Sequence, residues 1–181
     1  MNVTVLRESW RLHPLSWIHR AEARSVAEEL RRAGYAVRFE RFRSDSVSNL
    51  SFGPLLLRVS DPVMFTAARA LTRAARPFLG PSAAVMERCY DKYEFYRIAT
   101  ANDLDCPITT LANEVDSIPF PLVLKPRRGS DSIGLRIVRT APIPARGRTA
   151  GYIAQQYVRG EELTVAVLHG RAGMPLRILL P

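Results

Sequence analysis

Lysine occurs twice in this chain of 181 residues, at Lys92 and Lys125, although Lys and Arg together number 26. An ammonium is a compact point charge well suited to phosphate oxygens, whereas guanidinium is a planar fork, so the two are not interchangeable at an anion site. Lys125 closes an apolar run in Leu122-Val-Leu-Lys-Pro-Arg-Arg-Gly-Ser-Asp-Ser-Ile-Gly-Leu-Arg-Ile-Val138, which reads as a strand, a short flexible loop and a second strand. Gly129 and Gly134 let backbone approach a ligand closely, Ser130 and Ser132 add hydroxyl donors, and loop amides can turn toward phosphate oxygens. The spacing is that of neither a Walker loop nor a GxGxxG fingerprint. A Gly/Ser hairpin carrying a surface lysine is the competing reading of the same residues.

A second stretch, Tyr152-Ile-Ala-Gln-Gln-Tyr-Val-Arg-Gly-Glu-Glu-Leu-Thr-Val165, turns at Gly160, and Glu162 stands where a strand reopens. A strand end of this kind can offer backbone groups to a purine ring and a carboxylate to ribose hydroxyls. The plainer reading is a β-hairpin with a charged tip. Other chemistry is poorly supported. His13, His19 and His169 are scattered, the serines of the 129–134 loop lack nucleophile-elbow spacing, and Glu161-Glu162 reads as a solvated pair apart from the position of Glu162. Cys89 and Cys106 lack metal-ligand spacing and are expected to be buried small hydrophobes.

The elements that must position these residues begin with a βαβ unit: a strand at Val3–Leu6, a helix over Ser16–Ala33 with Ala23, Val26, Ala27 and Leu30 on one face, a cap at Gly34, and a strand at Ala36–Phe42. A third strand at Leu55–Val59 and a helix from Asp61 to about Arg76 complete a Rossmann-like lobe over residues 1–79. Phe78–Ser82 marks the boundary. A helical pair over Ala83–Asn102 breaks near Tyr90, with Asp91 available to cap its second piece. Strands are expected at Pro107–Thr110, Leu122–Lys125, Gly134–Arg139, Tyr152–Val158, Leu163–His169 and Pro175–Leu180, the Tyr152 and Leu163 strands being neighbours.

An apolar share of 47% supports a real core, and no stretch approaches the roughly 20 apolar residues that span a bilayer. A cytoplasmic address with no membrane partner is the expectation. The net charge of +9 attracts anions of several kinds. Base composition alone could account for the arginine excess. No helix-turn-helix, zinc finger or aromatic RNA-binding motif favours nucleic acid, which leaves an Arg-rich nucleic-acid-binding module as the weaker alternative.

Asp91-Lys92, then Lys125-Pro126 with its Gly/Ser loop, then Gln155-Gln-Tyr-Val-Arg-Gly-Glu-Glu162-Leu-Thr-Val resembles, in order, the motifs of the ATP-grasp superfamily, nearest its D-alanine:D-alanine ligase-like branch. The resemblance covers about residues 80–181. It implies an α/β fold in which a Rossmann-like pre-ATP-grasp lobe, 1–79, precedes a partial ATP-grasp domain, 80–181. It also implies ATP and Mg2+ as cofactors. Lys92 and Lys125 would contact the nucleotide phosphates, and Ser130, Ser132 and Gly134 would lie in the loop closing over the γ-phosphate. Of these, Lys125, at the α- and β-phosphates, and Ser132, in the closing loop, would be the catalytic residues. Gln155 would meet the adenine amino group, Tyr157 and Val158 would form the hinge lining the base, and Glu162 would bind ribose. If two lysines were scattered at random over the basic positions, both would reach these two sites in roughly one case in three hundred.

The implied activity is phosphorylation of a small carboxylate substrate to an acyl phosphate, followed by attack of an amine or a thiol. A short Pro/Arg loop between Val138 and Tyr152 replaces the helix usual in relatives, and the chain ends at Pro181, before the acidic residues that bind magnesium there. The expectation is therefore an ATP-binding ligase or fragment whose metal ligands are not found in this chain and which a second chain or a further C-terminal segment would complete. A catalytically silent ATP-grasp-like interaction protein is the alternative. Arg11, His13 and Ser16 are the local candidates for contact with an anionic substrate group.

Overall fold

A computed structural model of the chain describes residues 2–7, 16–43, 47–50, 53–59, 61–130, 132–143, 151–168 and 170–178. The substrate candidates Arg11 and His13, the loop residue Asp131, His169 and most of the 142–151 loop lie outside the described residues, as does the side chain of Ser16.

The first sheet contains β1 (Asn2–Arg7), β2 (Ala36–Arg41), β3 (Leu55–Arg58) and β4 (Phe78–Leu79), all parallel, in the order β2-β1-β3-β4. Helix α1 (Ser16–Arg32) follows β1 and buries Ala23 and Ala27 on one face, the expected stripe, near Val5, Val37, Phe39 and Leu56. It ends in a Schellman cap. Gly34 takes φ +85°, its N–H donates to the Arg31 carbonyl at 2.9 Å, and Tyr35 N–H donates to the Leu30 carbonyl at 3.0 Å. Helix α2 (Asp61–Arg73) buries Ala67, Ala68 and Leu71 together with Leu6, Leu55 and Leu57 on the opposite face of the sheet. The alternation along each strand thus feeds two separate cores, as a doubly wound sheet requires. Each fully buried leucine here contributes roughly 2 kcal/mol of transfer free energy.

The stretch expected as a boundary, Phe78–Ser82, begins inside the first sheet, because Phe78 and Leu79 form its edge strand beside Leu55 and Leu56. Helix α3 (Ala83–Tyr90) then packs on α2 through an Arg69–Glu87 ion pair at 2.9 Å and an edge-on Phe65–Tyr90 contact at 4.9 Å. Ala83 and Met86 lean on the first core, which leaves Cys89 on the outward side of the helix. Cys89 is exposed and Cys106 only partly covered, so the expectation that both are buried hydrophobes fails: α3 buries no residue fully.

After α4 (Lys92–Ala101) comes an antiparallel sheet in the order β5-β8-β6-β7, made from β5 (Thr109–Leu111), β6 (Leu122–Pro126), β7 (Arg136–Val138) and β8 (Tyr152–Gln156). Leu122, Leu124, Ile118, Ala112 and Ala154 form its core. The expected strand Leu163–His169 is two short pieces, β9 (Leu163–Thr164) and β10 (Val167–Leu168), which pair with β12 (Leu176–Arg177) and β11 (Arg171–Ala172) rather than with β8. The reason is topological. Both edges of β8 are already occupied by β5 and β6, so no hairpin can form at Gly160. Among the described residues none beyond Ala154 is buried, so the two ladders sit on the fold without a core of their own.

Candidate functional site

Lys125 lies at the end of β6, and the register sets Val123 opposite Gln155 on β8 and Gln155 opposite Thr109 on β5. Side chains two apart on a strand share a face, so Lys125 reaches over toward Gln155. Lys125 Nζ donates to Gln155 Oε1 at 2.7 Å, Gln155 Nε2 donates to Thr109 Oγ1 at 2.8 Å, and the Thr109 hydroxyl donates to the Pro107 carbonyl at 2.8 Å. Donors and acceptors match at every step, which fixes the orientation of the Gln155 amide. Burial lowers the Lys125 pKa, and the charge of Lys92 lowers it further. Two ammonium groups far apart in sequence are therefore close enough to repel.

Lys92 is brought there by the junction of the helical pair. Asp91 is buried and caps α4 by accepting from Glu94 N–H at 3.1 Å, as expected. The same carboxylate accepts from Arg127 Nε at 2.7 and 2.9 Å and from Arg128 Nε at 3.3 Å. Burial alone would raise the Asp91 pKa, but the hydrogen bonds from Arg127, Glu94 and Arg128 and the Arg127 charge carry it below its ordinary value of 3.8. Backbone joins in, since Lys92 N–H donates to the Arg127 carbonyl at 2.9 Å. The Arg127 guanidinium also lies 5.6 Å from the centre of the Tyr93 ring. Lys92 Nζ then donates to the Gly129 carbonyl at 2.5 Å, at the start of the loop that follows β6.

In that loop Ser130 O accepts from Ile133 N–H at 3.2 Å and Ser132 O accepts from Leu135 N–H at 3.1 Å, giving overlapping turns with Ser132 at φ +57° and Gly134 at φ +79°. Gly134 has a second reason to be glycine. A Cβ there would stand 2.9 Å from Tyr152 Oη and 3.0 Å from Pro126 Cγ. Ser130 and Ser132 are both exposed. Tyr157 and Val158 directly follow β8 and are exposed, and the Glu162 carbonyl accepts from Ile178 N–H at 2.8 Å beside the β9–β12 ladder. The structure thus joins Lys125 to Gln155 and Lys92 to the Gly129 carbonyl, with the Lys92 charge acting on Lys125. The hydrogen bonds of that group do not extend to Tyr157, Val158 or Glu162.

Sequence reasoning missed four contributors. Arg127 and Arg128 are adjacent to the Lys-Pro step, but their partner Asp91 is 36 and 37 residues away, and nothing local announces the pairing. Thr109 and Tyr152 likewise act across strands, where register rather than composition decides the contact.

A lysine pair with a hydrogen-bonded amide beside a glycine-bearing loop suits a phosphorylated ligand, whose negative charge would stabilise both ammonium groups. A family model for the ATP-grasp domain matches residues 89–178, the span that holds all of these groups. These residues belong to the ATP-grasp superfamily. The chain is 30% identical over 112 residues to a D-alanine–D-alanine ligase of Methylacidiphilum infernorum, a match covering 58% of this chain and 37% of that one. The chain therefore matches well under half the length of this curated relative. Its fold is that of the D-alanine–D-alanine ligase from Bacillus anthracis, with TM-score 0.74 at 16% identity over 100% of this chain and 73% of the other. The same enzyme's structure complexed with ATP matches with TM-score 0.68 at 15% identity, again over 100% of this chain and 72% of that one. Among the described residues no group of three or more His, Cys, Asp or Glu side chains could hold a metal ion. No helix among them is long and apolar enough to cross a membrane.

Proposed function

We propose that the chain binds ATP between β6, β8 and the 129–134 loop and belongs to a carboxylate-amine or carboxylate-thiol ligase that works through an acyl phosphate. The carrying observation is the placement of the two lysines, Lys125 at the end of β6 donating to Gln155 Oε1 with no carboxylate partner among the described residues and Lys92 donating to the Gly129 carbonyl of the loop that follows. Burial first, and the Lys92 charge second, lower the Lys125 pKa. In this reading residues 1–79 form the pre-ATP-grasp lobe and 80–181 the nucleotide-binding region. Lys92 and Lys125 hold phosphate charge, Lys125 at the α- and β-phosphates, and Ser130, Ser132 and Gly134 present loop donors to the terminal phosphate, with Lys125 and Ser132 the catalytic pair. Gln155 keeps its amide oriented toward the base, Tyr157 and Val158 line it, and Glu162 takes the ribose. What these residues supply is positioning and charge neutralisation rather than covalent chemistry. The resemblance to ligases, including one complexed with ATP, supports the reading.

Calorimetry of ATP binding tests it. Replacing Lys125 with Met removes a charge-assisted contact of about 1.5–3 kcal/mol, so affinity should fall roughly ten- to hundredfold. Intact protein that binds no ATP, or a Lys125→Met variant that binds as well as the parent, would overturn the assignment.

A further inference from the structure

The nucleotide reading assigns no arginine, yet Arg127 and Arg128 follow directly on the Lys125-Pro126 step. Their commitments differ. The Arg127 side chain is 37% exposed, gives its Nε to both oxygens of Asp91 and lies over the Tyr93 ring. The Arg128 side chain is 70% exposed, and among the described residues its guanidinium makes a single hydrogen bond, from Nε to Asp91 Oδ2 at 3.3 Å. A guanidinium carries five N–H donors in one plane. Asp91 takes the Nε edge of Arg128, so the four N–H groups on its two Nη atoms are left for a ligand. They form the fork that matches two oxygens of one phosphate.

The backbone sets where that fork stands. Asp91 and Arg128 are opposite one another in an antiparallel bridge, so their side chains leave on the same face. Lys92 N–H donates to the Arg127 carbonyl at 2.9 Å and Lys92 Nζ donates to the Gly129 carbonyl, so Arg128 is bracketed by the two contacts that seat Lys92. The charge of Lys92 in turn acts on Lys125. Four cationic side chains are thereby gathered around one buried carboxylate, Asp91, while Glu94, the acidic residue in the first turn of α4, is engaged by Arg97 at 3.5 Å. Like charges held together repel, and a polyanion relieves that repulsion.

We propose that Arg128 is a further phosphate-binding residue of the nucleotide site, its Nε edge held by Asp91 and its Nη fork turned to the phosphates beyond the first. The inference rests on the ATP reading and adds a specificity to it: a guanidinium, as well as the lysines, tells a nucleoside triphosphate from a monophosphate. Calorimetry of ATP binding, with AMP measured by its displacement of ATP, tests it. Arg128→Gln should weaken ATP binding at least about tenfold and leave AMP within about twofold of the parent. Arg24→Gln, which removes the same charge on the exposed side of α1, should change neither. Arg128→Lys keeps the charge without the fork and should fall between the parent and Arg128→Gln. The urea midpoint of Arg128→Gln should stay close to that of the parent, because an exposed ion pair contributes little to stability. The role of Arg128 is refuted if Arg128→Gln binds ATP within about twofold of the parent, or if it weakens AMP as much as ATP. A parent that binds no ATP overturns the nucleotide reading and this inference with it, whereas a parent that binds ATP beside an unaffected Arg128→Gln overturns this inference alone.

Discussion

Asp91 is expected to be the most sensitive polar position in the chain, and its removal can be worked through from its contacts. As the cap of α4 it contributes about 1 kcal/mol. Its ion pair with Arg127, whose side chain is 37% exposed, is discounted for solvent to about 1.5 kcal/mol, and the pair with Arg128, 70% exposed, to about 0.5 kcal/mol. Asp91→Ala should therefore lower unfolding free energy by about 3 kcal/mol, roughly a 6–12 °C drop in Tm for a chain of this size. Asp91→Asn keeps a good cap while losing the charge, and should lose about 2 kcal/mol. Urea unfolding monitored by circular dichroism reads both. The folded pKa of Asp91 is depressed, so its stabilisation is complete above the ordinary value of 3.8 and disappears as pH falls through the lower folded value. The gap between parent and Asp91→Asn should close in that acid window. If both variants stay within about 0.5 kcal/mol of the parent, or if Asn is as damaging as Ala, the apportionment between cap and ion pair is wrong.

The two lysines make a direct pH test possible, since reductive methylation with labelled formaldehyde yields only two side-chain signals. The Lys125 signal should titrate below 10.5, and Lys92→Met should move it upward without fully restoring it, because burial remains the larger cause. Gly134→Ala should reduce stability by about 1–3 kcal/mol, through its positive φ and the 2.9 Å approach to Tyr152 Oη, measurable as a lower urea midpoint. Thr109→Val should release the Gln155 amide, seen as loss of protection of its side-chain protons by NMR and a several-fold weaker ATP affinity.

The first lobe was legible because its physics is local: alternating apolar residues at Val37 and Phe39, an apolar helix stripe, and glycine at Gly34 each act within a few residues. The break at Tyr90 and the cap by Asp91 were legible for the same reason. The partners of β9 and β10 were not, because they depend on which strand edges are already taken, a property of the assembled sheet. Cys89 illustrates a related limit, since a small apolar residue on a helix is buried only if something covers that side. At the candidate site Lys92, Lys125 and Asp91 could be named from sequence, while the Asp91–Arg127 pairing and the Thr109–Gln155 contact depend on the assembled fold.

The division of contacts around Asp91 has a mechanical consequence. The helix before it is fastened to the first lobe through Glu87 and Tyr90, and the helix after it is fastened to the strand-loop segment that carries Lys125. Asp91, itself held by Arg127 and Arg128, thus stands between two sets of attachments and would be the axle between them. If the lobes swing to admit a ligand, rotation at this axle would carry Lys92 along with Lys125, so the spacing of the two ammonium groups would survive the movement. The grip would be kept intact while the cleft around it opens.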